Sequence, residues 1–185
     1  MHDVADLTNM QLAAALDELG DLNELDGAIV HRVVAYRNAA KAIRDAPSSV
    51  AALVREGRAT ELPGIGRTLD EKLRALLETG TTPATEKLRA KFPAGLVDMT
   101  KLEGLGPKRA RRLYDELGID SLDALRAAAK AGRISDLKGF GAKAQEALLE
   151  ALAAHERRPA ATRVVLPKAL AVAGPILEGD RKSVV

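Results

Sequence analysis

Leu62-Pro63-Gly64-Ile65-Gly66 is one of three short glycine turns that decide how this chain reads. The others are Leu102-Glu103-Gly104-Leu105-Gly106 and Leu137-Lys138-Gly139-Phe140-Gly141. Each lies between stretches whose apolar residues recur at helical spacing, and each is followed within two residues by Lys or Arg. Glycine has no Cβ to hold a neighbour away and tolerates positive φ. The N–H groups that open the next helix have no intrahelical partner. A turn of this kind therefore offers a phosphate site that is indifferent to base identity. A tight corner between two helices gives the same local sequence. Three such turns, with cations in the same place, point to a grip on a nucleic-acid backbone.

The repetition extends upstream. Arg55-Glu56-Gly57-Arg58-Ala59-Thr60-Glu61-Leu62 leads into the first turn and Lys130-Ala131-Gly132-Arg133-Ile134-Ser135-Asp136-Leu137 into the third, with Gly-Arg at the same distance. At least two units read as copies of one module. Around them the spacing predicts an all-α chain of two small helical units. In the first, helices cover about 9–22 (closed by Gly20), 29–46, 50–56 and 68–78. Val30, Val33, Val34, Ala40 and Ile43 are expected inward on the second helix, and Leu69, Leu73, Leu76 and Leu77 on the fourth. Thr81-Thr82-Pro83 reads as a hinge or boundary. Beyond it, helices are expected over about 86–91, 95–100, 108–117, 121–131 and 143–154. The units are thus 1–83 and 84–154, with 155–185 a linker and one short helix.

Composition sets the outer limits. The chain has 185 residues, no Cys, no Trp, two Phe and two Tyr. A core of Leu, Ala, Val and Ile favours helices. Without Cys there is no disulfide or thiolate metal site, and His2, His31 and His155 lack metal-ligand spacing. No signal peptide or long apolar run is evident, so a soluble, cytoplasmic protein and a monomer are expected, with no membrane partner. The net charge of +2 says little. Its distribution says more: Lys101, Lys108, Arg109, Arg111 and Arg112 fall within a stretch containing one acid, Glu103. Ala110, Leu113, Tyr114 and Leu117 line one face there, with Lys108, Arg111 and Arg112 pointing away from it. Such a patch attracts phosphates, and a solvated helix face looks similar.

The ordered pieces resemble the N-terminal half of family X DNA polymerases, DNA polymerase beta and the bacterial PolX enzymes among them. The resemblance rests on 35–44 (Ala-Tyr-Arg-Asn-Ala-Ala-Lys-Ala-Ile-Arg), the three glycine turns, Glu71-Lys72-Leu73 and 113–119 (Leu-Tyr-Asp-Glu-Leu-Gly-Ile). It runs over about residues 5–155 without large gaps. It implies a lyase-like helix-hairpin-helix domain up to about residue 83, which meets the 5′-phosphate side of a gap. A second subdomain would grip duplex DNA. It further implies contacts to gapped or nicked DNA from Gly64, Ile65, Gly66, Gly104, Leu105, Gly106, Lys108, Arg109, Gly139, Phe140, Gly141 and Lys143. Carbonyls of Thr60, Leu62 and Ile65, and of Thr100, Leu102 and Leu105, would hold a monovalent cation, Na+ or K+.

Lys72 falls where the family carries its Schiff-base lysine. An uncharged amine attacks C1′ of an abasic sugar, forms an imine and acidifies the C2′ proton for β-elimination. Leu69 and Leu76 flank Lys72 by one turn each, so its stem should follow the apolar edge, which is also what an ordinary snorkelling lysine does. By the same resemblance Tyr36 lines a 5′-phosphate pocket, Arg32 binds phosphate and His31 stacks on a template base. Two departures matter. Asp26-Gly27-Ala28-Ile29-Val30-His31 replaces the usual bacterial stretch, and Thr68 stands where a second pocket lysine is found, with Arg67 beside it. No Asp-x-Asp pair occurs, so nothing here can hold the two metals of nucleotidyl transfer, and no polymerase activity is expected. The readings left open are a DNA-binding repair module without polymerase activity, a deoxyribose-phosphate or abasic-site lyase, and a helical protein–protein adaptor.

Overall fold

The computed structural model describes residues 7–158, so the expectations for the tail beyond 158 lie outside it. Nine α-helices and one 3-10 turn fill the described residues, with no strand among them. In order they are α1 (Asn9–Leu25), α2 (Val30–Asp45), α3 (Val50–Arg55), the 3-10 turn (Ala59–Glu61), α4 (Arg67–Thr79), α5 (Pro83–Lys91), α6 (Ala94–Thr100), α7 (Gly106–Leu117), α8 (Leu122–Lys130) and α9 (Ala142–Arg157). The all-α reading holds. α9 stops where Arg158 turns extended ahead of Pro159, a residue that disfavours helix before it.

The first helix departs from its reading. Gly20 does not close α1; the helix runs five residues further, to Leu25. The glycine faces α2 instead. A Cβ there would stand 3.4 Å from the Cβ of Tyr36 and 3.7 Å from the carbonyl oxygen of Val33. A capping box opens α1, with Gln11 N–H donating to Thr8 Oγ1 at 3.2 Å and Thr8 N–H to Gln11 Oε1 at 2.8 Å. The Asp26-Gly27 turn closes it, with Ala28 N–H bonding the Asn23 carbonyl at 2.9 Å.

The extra length puts α1 into two cores. Leu12, Ala13, Ala15 and Leu16 pack with Ala39, Ala40 and Ile43 of α2, Val50, Ala51 and Val54 of α3, and Leu73 and Leu76 of α4. Leu19, Leu22 and Leu25 pack instead with Leu88, Leu96, Met99, Leu113, Leu125, Phe140 and Leu148. Polar ties reinforce the second contact. Arg89 meets Glu18 through two 2.8 Å hydrogen bonds, and Lys91 reaches both oxygens of Asp26. Arg111 Nη1 donates to the Leu25 carbonyl at 2.7 Å. Asp21, half-buried on the same helix, has its carboxyl pushed above its ordinary value of 3.8 by that burial, against the pull of Arg37.

Two further expectations need correction. Val30 and Val34 are 64% and 42% exposed, because α2 packs chiefly on α1 and buries one narrow stripe, Val33, Ala39, Ala40 and Ile43. Leu69 and Leu77 are only partly buried beside Leu73 and Leu76. Within the 81–83 segment, Thr82 caps α5. Thr82 is 1% exposed, accepts the Thr85 N–H at 3.1 Å and pairs with the Thr85 hydroxyl at 2.9 Å, while Pro83 opens α5.

Gly95 provides a test of this packing. A Cβ on it would lie 2.4 Å from the Asp120 carbonyl oxygen and 3.0 Å from Ser121 Cα, both backbone. Gly95→Ala is expected to lose about 1–3 kcal/mol through overpacking. Gly20→Ala has room and should gain about 0.5–1 kcal/mol of helix propensity. Urea unfolding midpoints moving in opposite directions would check both.

Candidate nucleic-acid interface

The three glycine turns share one backbone pattern. In each, two successive hydrogen bonds, every one spanning three residues, step into the turn. They run from Leu62 N–H to Ala59 O and Ile65 N–H to Leu62 O (both 3.1 Å), from Leu102 N–H to Met99 O (3.1 Å) and Leu105 N–H to Leu102 O (3.2 Å), and from Leu137 N–H to Ile134 O (3.1 Å) and Phe140 N–H to Leu137 O (2.9 Å). The middle glycine of each has a left-handed φ, +80° at Gly64, +81° at Gly104 and +89° at Gly139. A side chain is strained there. On either side, Ala59 and Ile65, Met99 and Leu105, and Ile134 and Phe140 are buried. The apolar pair thus pins the turn while its backbone stays at the surface.

The upstream repeat is structural as well. Arg58 N–H bonds Leu53 O at 2.8 Å and Gly57 N–H bonds Val54 O at 3.2 Å, closing α3. Arg133 N–H to Ala128 O (3.0 Å) and Gly132 N–H to Ala129 O (3.2 Å) close α8 identically. Arg58, read from the sequence only as part of the Gly-Arg repeat, binds Glu61 through two 2.9 Å bonds and Glu56 through one at 3.0 Å. Arg58 holds the exposed Glu61 carboxyl below its ordinary range.

The exits from the turns differ. Gly66 is extended (φ −92°, ψ −178°) and its carbonyl takes the N–H groups of Leu69 and Asp70, both at 3.0 Å. The amides of Arg67 and Thr68, the first two of α4, precede those bonds and have no intrahelical acceptor. Gly141 repeats this (φ −97°, ψ 178°), with Gln145 N–H on its carbonyl at 3.0 Å and Ala142 and Lys143 opening α9. At the second turn Leu105 has φ −92° and ψ −62°, Gly106 has φ +67°, and Pro107 has no N–H to offer. That turn therefore offers fewer free amides than the other two, and Lys108 and Arg109 stand exposed beside it.

Side-chain placement sorts the candidate residues. Gly64, Gly66, Arg67, Thr68, Gly104, Lys108, Arg109, Gly139, Gly141 and Lys143 are exposed, and Gly106 is partly so. Ile65, Leu105 and Phe140 are 4%, 3% and 2% exposed, so any contact of theirs with DNA falls to the backbone. The basic patch is less open than its sequence suggests. Arg111 and Arg112 were expected to point away from the packed face; both are half-buried and engaged. Arg111 lies 5.4 Å from the Phe92 ring centroid and bonds Asp115, and Arg112 lies 5.7 Å from that of Phe140 and bonds Glu116. Lys101 faces Asp98 at 3.7 Å and Lys108 faces Glu24 at 4.0 Å. Of the five cations, Arg109 alone has no carboxylate partner among the described residues.

The lyase-side candidates form two groups. His31 and Arg32 are exposed in the first turn of α2, which has neither a side-chain cap nor an acid there. One turn on, Tyr36 is half-buried against both cores; burial pushes its hydroxyl pKa up and the charge of Arg32 pulls it down. Lys72 is half-buried on α4 and makes no hydrogen bond or ion pair among the described residues. No hydrogen bond links it to His31, Arg32 or Tyr36. Each carbonyl proposed for a cation is a backbone oxygen; those of Leu62 and Leu102 accept one turn N–H and keep a second lone pair. No cluster of three or more acidic or His side chains able to hold a metal occurs among the described residues. None of their helices is long and apolar enough to cross a membrane.

Gly64→Ala and Gly139→Ala are each expected to destabilise by about 1–2 kcal/mol, the cost of a left-handed non-glycine residue. Gly66→Ala, at an extended φ with nothing within 4 Å of its Cβ position, should not do so. Thermal unfolding of the three variants checks this.

Comparison with known proteins agrees with the geometry. A helix-hairpin-helix domain family matches residues 7–82, and a SAM-like helix-hairpin-helix tandem family matches residues 96–154. The chain is 31% identical over 144 residues to the DNA polymerase/3'-5' exonuclease PolX of Bacillus subtilis (strain 168), an alignment covering 78% of this chain and 25% of that protein. It spans about a quarter of that relative's length. Hairpins matched in series, with the likeness to PolX over most of its residues, show that the chain carries the DNA-binding helix-hairpin-helix region of the family X DNA polymerases.

Proposed function

We propose that this chain grips gapped or nicked duplex DNA through its phosphates, without reading sequence, as a base-excision-repair module. The observation that carries the reading is the repeated turn, whose buried anchors hold an exposed backbone beside cations. Backbone amides and basic side chains contact phosphate and carry no base information. Residues 1–83 take the 5′-phosphate side of the gap, at the uncapped start of α2 with His31 and Arg32, near Tyr36, and at the start of α4 with Arg67 and Thr68. Residues 84–154 hold the duplex through the second and third hairpins. A monovalent cation fits the carbonyls of Thr60, Leu62 and Ile65 and those of Thr100, Leu102 and Leu105, since hard oxygen donors suit it. The chain acts as a monomer in this reading.

Phosphate neutralisation makes binding fall steeply with salt, with a slope of log affinity against log salt of roughly −0.9 per phosphate contact. Lys108→Ala and Lys143→Ala are each expected to reduce that slope by about 1. Fluorescence anisotropy on a gapped duplex at several salt concentrations measures it. A slope near zero in the wild type would turn the reading towards a protein–protein scaffold.

Lyase chemistry is a second reading, favoured by one observation: Lys72 lies half-buried along the Leu69–Leu76 edge with no carboxylate holding its charge. Its amine would add to the C1′ aldehyde with loss of water. Removal of the C2′ proton from the resulting imine then expels the 3′-phosphate. Borohydride reduction on a gapped duplex bearing a 5′-deoxyribose phosphate should trap a covalent adduct that Lys72→Ala abolishes. Binding without an adduct would leave a DNA grip alone, and trapping that persists in the variant would move the nucleophile elsewhere.

A further inference from the structure

We propose that Arg109 is a positioning residue that couples the second and third hairpin turns, and that it does not act as a phosphate ligand. The inference deepens the DNA-binding reading and rests on it. Arg109 stands in the first turn of α7, and its Nη1 donates to the carbonyl of Gly104, inside the second hairpin, at 3.2 Å. The same guanidinium lies 5.4 Å from the ring centroid of Phe140, inside the third. One turn further along α7, Arg112 approaches that ring at 5.7 Å, and its Nη1 lies 3.4 Å from where a Cβ on Gly139 would be. Arg112 is itself steadied by its 2.9 Å bond to Glu116. Phe140, 2% exposed, is approached by two guanidiniums from one helix.

The second turn is the one that needs such a tie. The first and third leave through an extended glycine whose carbonyl starts the next helix. The second leaves through Leu105 in a helical conformation and a left-handed Gly106, with Pro107 lacking an N–H. The Gly104 carbonyl at its tip is the atom that Arg109 holds. Electrostatics points the same way. Arg109 is the cation of its patch without a carboxylate, so its charge is met by a carbonyl dipole and an aromatic face. Swinging the guanidinium away from α7 towards a phosphate would give up both contacts. A planar guanidinium can donate to the carbonyl and stack on the ring together, which an ammonium cannot. With the two turns locked, a duplex meets both at a set spacing.

Arg109→Lys in the full chain tests this, because it keeps the charge and removes the fork. The first readout needs no DNA: hydrogen exchange at the amides of Leu105 and Phe140, which bond Leu102 O and Leu137 O. Protection at both is expected to fall about tenfold, the scale of a lost cation–π contact and charge-assisted hydrogen bond. Affinity for a duplex should fall by about the same factor with an unchanged salt slope, since no phosphate contact is lost. Phe140→Leu should reproduce the affinity loss, and the double variant should be no weaker than the weaker single one. Wild-type protection and affinity in Arg109→Lys, with Arg109→Ala lowering the salt slope by about 1, would make Arg109 a phosphate ligand and overturn the inference. If wild-type binding proved insensitive to salt, the DNA reading would fall. The exchange readout would still decide the coupling, which is overturned if the Leu105 and Phe140 amides are unaffected.

Discussion

A backbone that reverses within a few residues, with a buried apolar side chain on each side of the reversal, governs everything functional in this molecule. The anchors at 59 and 65, 99 and 105, and 134 and 140 are drawn inward by the hydrophobic effect. For both anchors to point inward, the chain between them must pass through a left-handed conformation at one residue, which glycine meets without strain. Burial therefore pushes the backbone outward at each tip. The force that stabilises the core is the one that presents the amides.

The two halves are joined by a helix that belongs to both. α1 places Leu12, Leu16 and their neighbours in one core and Leu19, Leu22 and Leu25 in the other. Apolar burial on this scale contributes roughly 25 cal/mol per Å² and outweighs surface ion pairs, which contribute up to about 1 kcal/mol each. The bonds from Arg89 to Glu18 and from Lys91 to Asp26 orient this seam more than they stabilise it. Gly20 sits in the middle of the shared helix, on the face that α2 crosses.

Charge is arranged less generously than composition suggests. Most cations between 101 and 112 face a carboxylate or a ring of the same protein, so the free positive charge near the second hairpin is small. In the proposed reading, backbone amides at the first and third hairpins carry correspondingly more of the attraction for phosphate. Amides held by buried anchors are already oriented before the ligand arrives and lose little conformational entropy on binding. Long basic side chains must give up rotamer freedom to do the same work.

Much of this was legible along the chain. Helical spacing, the three glycine turns and the Gly-Arg repeat predict an all-α protein of two hairpin units, because each is a local property set within a turn or two of helix. Buried stripes were readable where a helix packs on several neighbours, as at Leu73 and Leu76, and misread where it packs chiefly on one, as at Val30 and Val34. Gly20 looked like a stop because sequence cannot distinguish a glycine that ends a helix from one that lets another helix approach. The sequence alone determined which residues form turns and helices, since φ preference and apolar period are encoded locally. Tertiary structure alone decided that α1 serves two cores and that Lys108 faces Glu24. It also decided that Arg109 and Arg112 both reach a phenylalanine about thirty residues away, because contacts between distant segments exist only once both cores have closed.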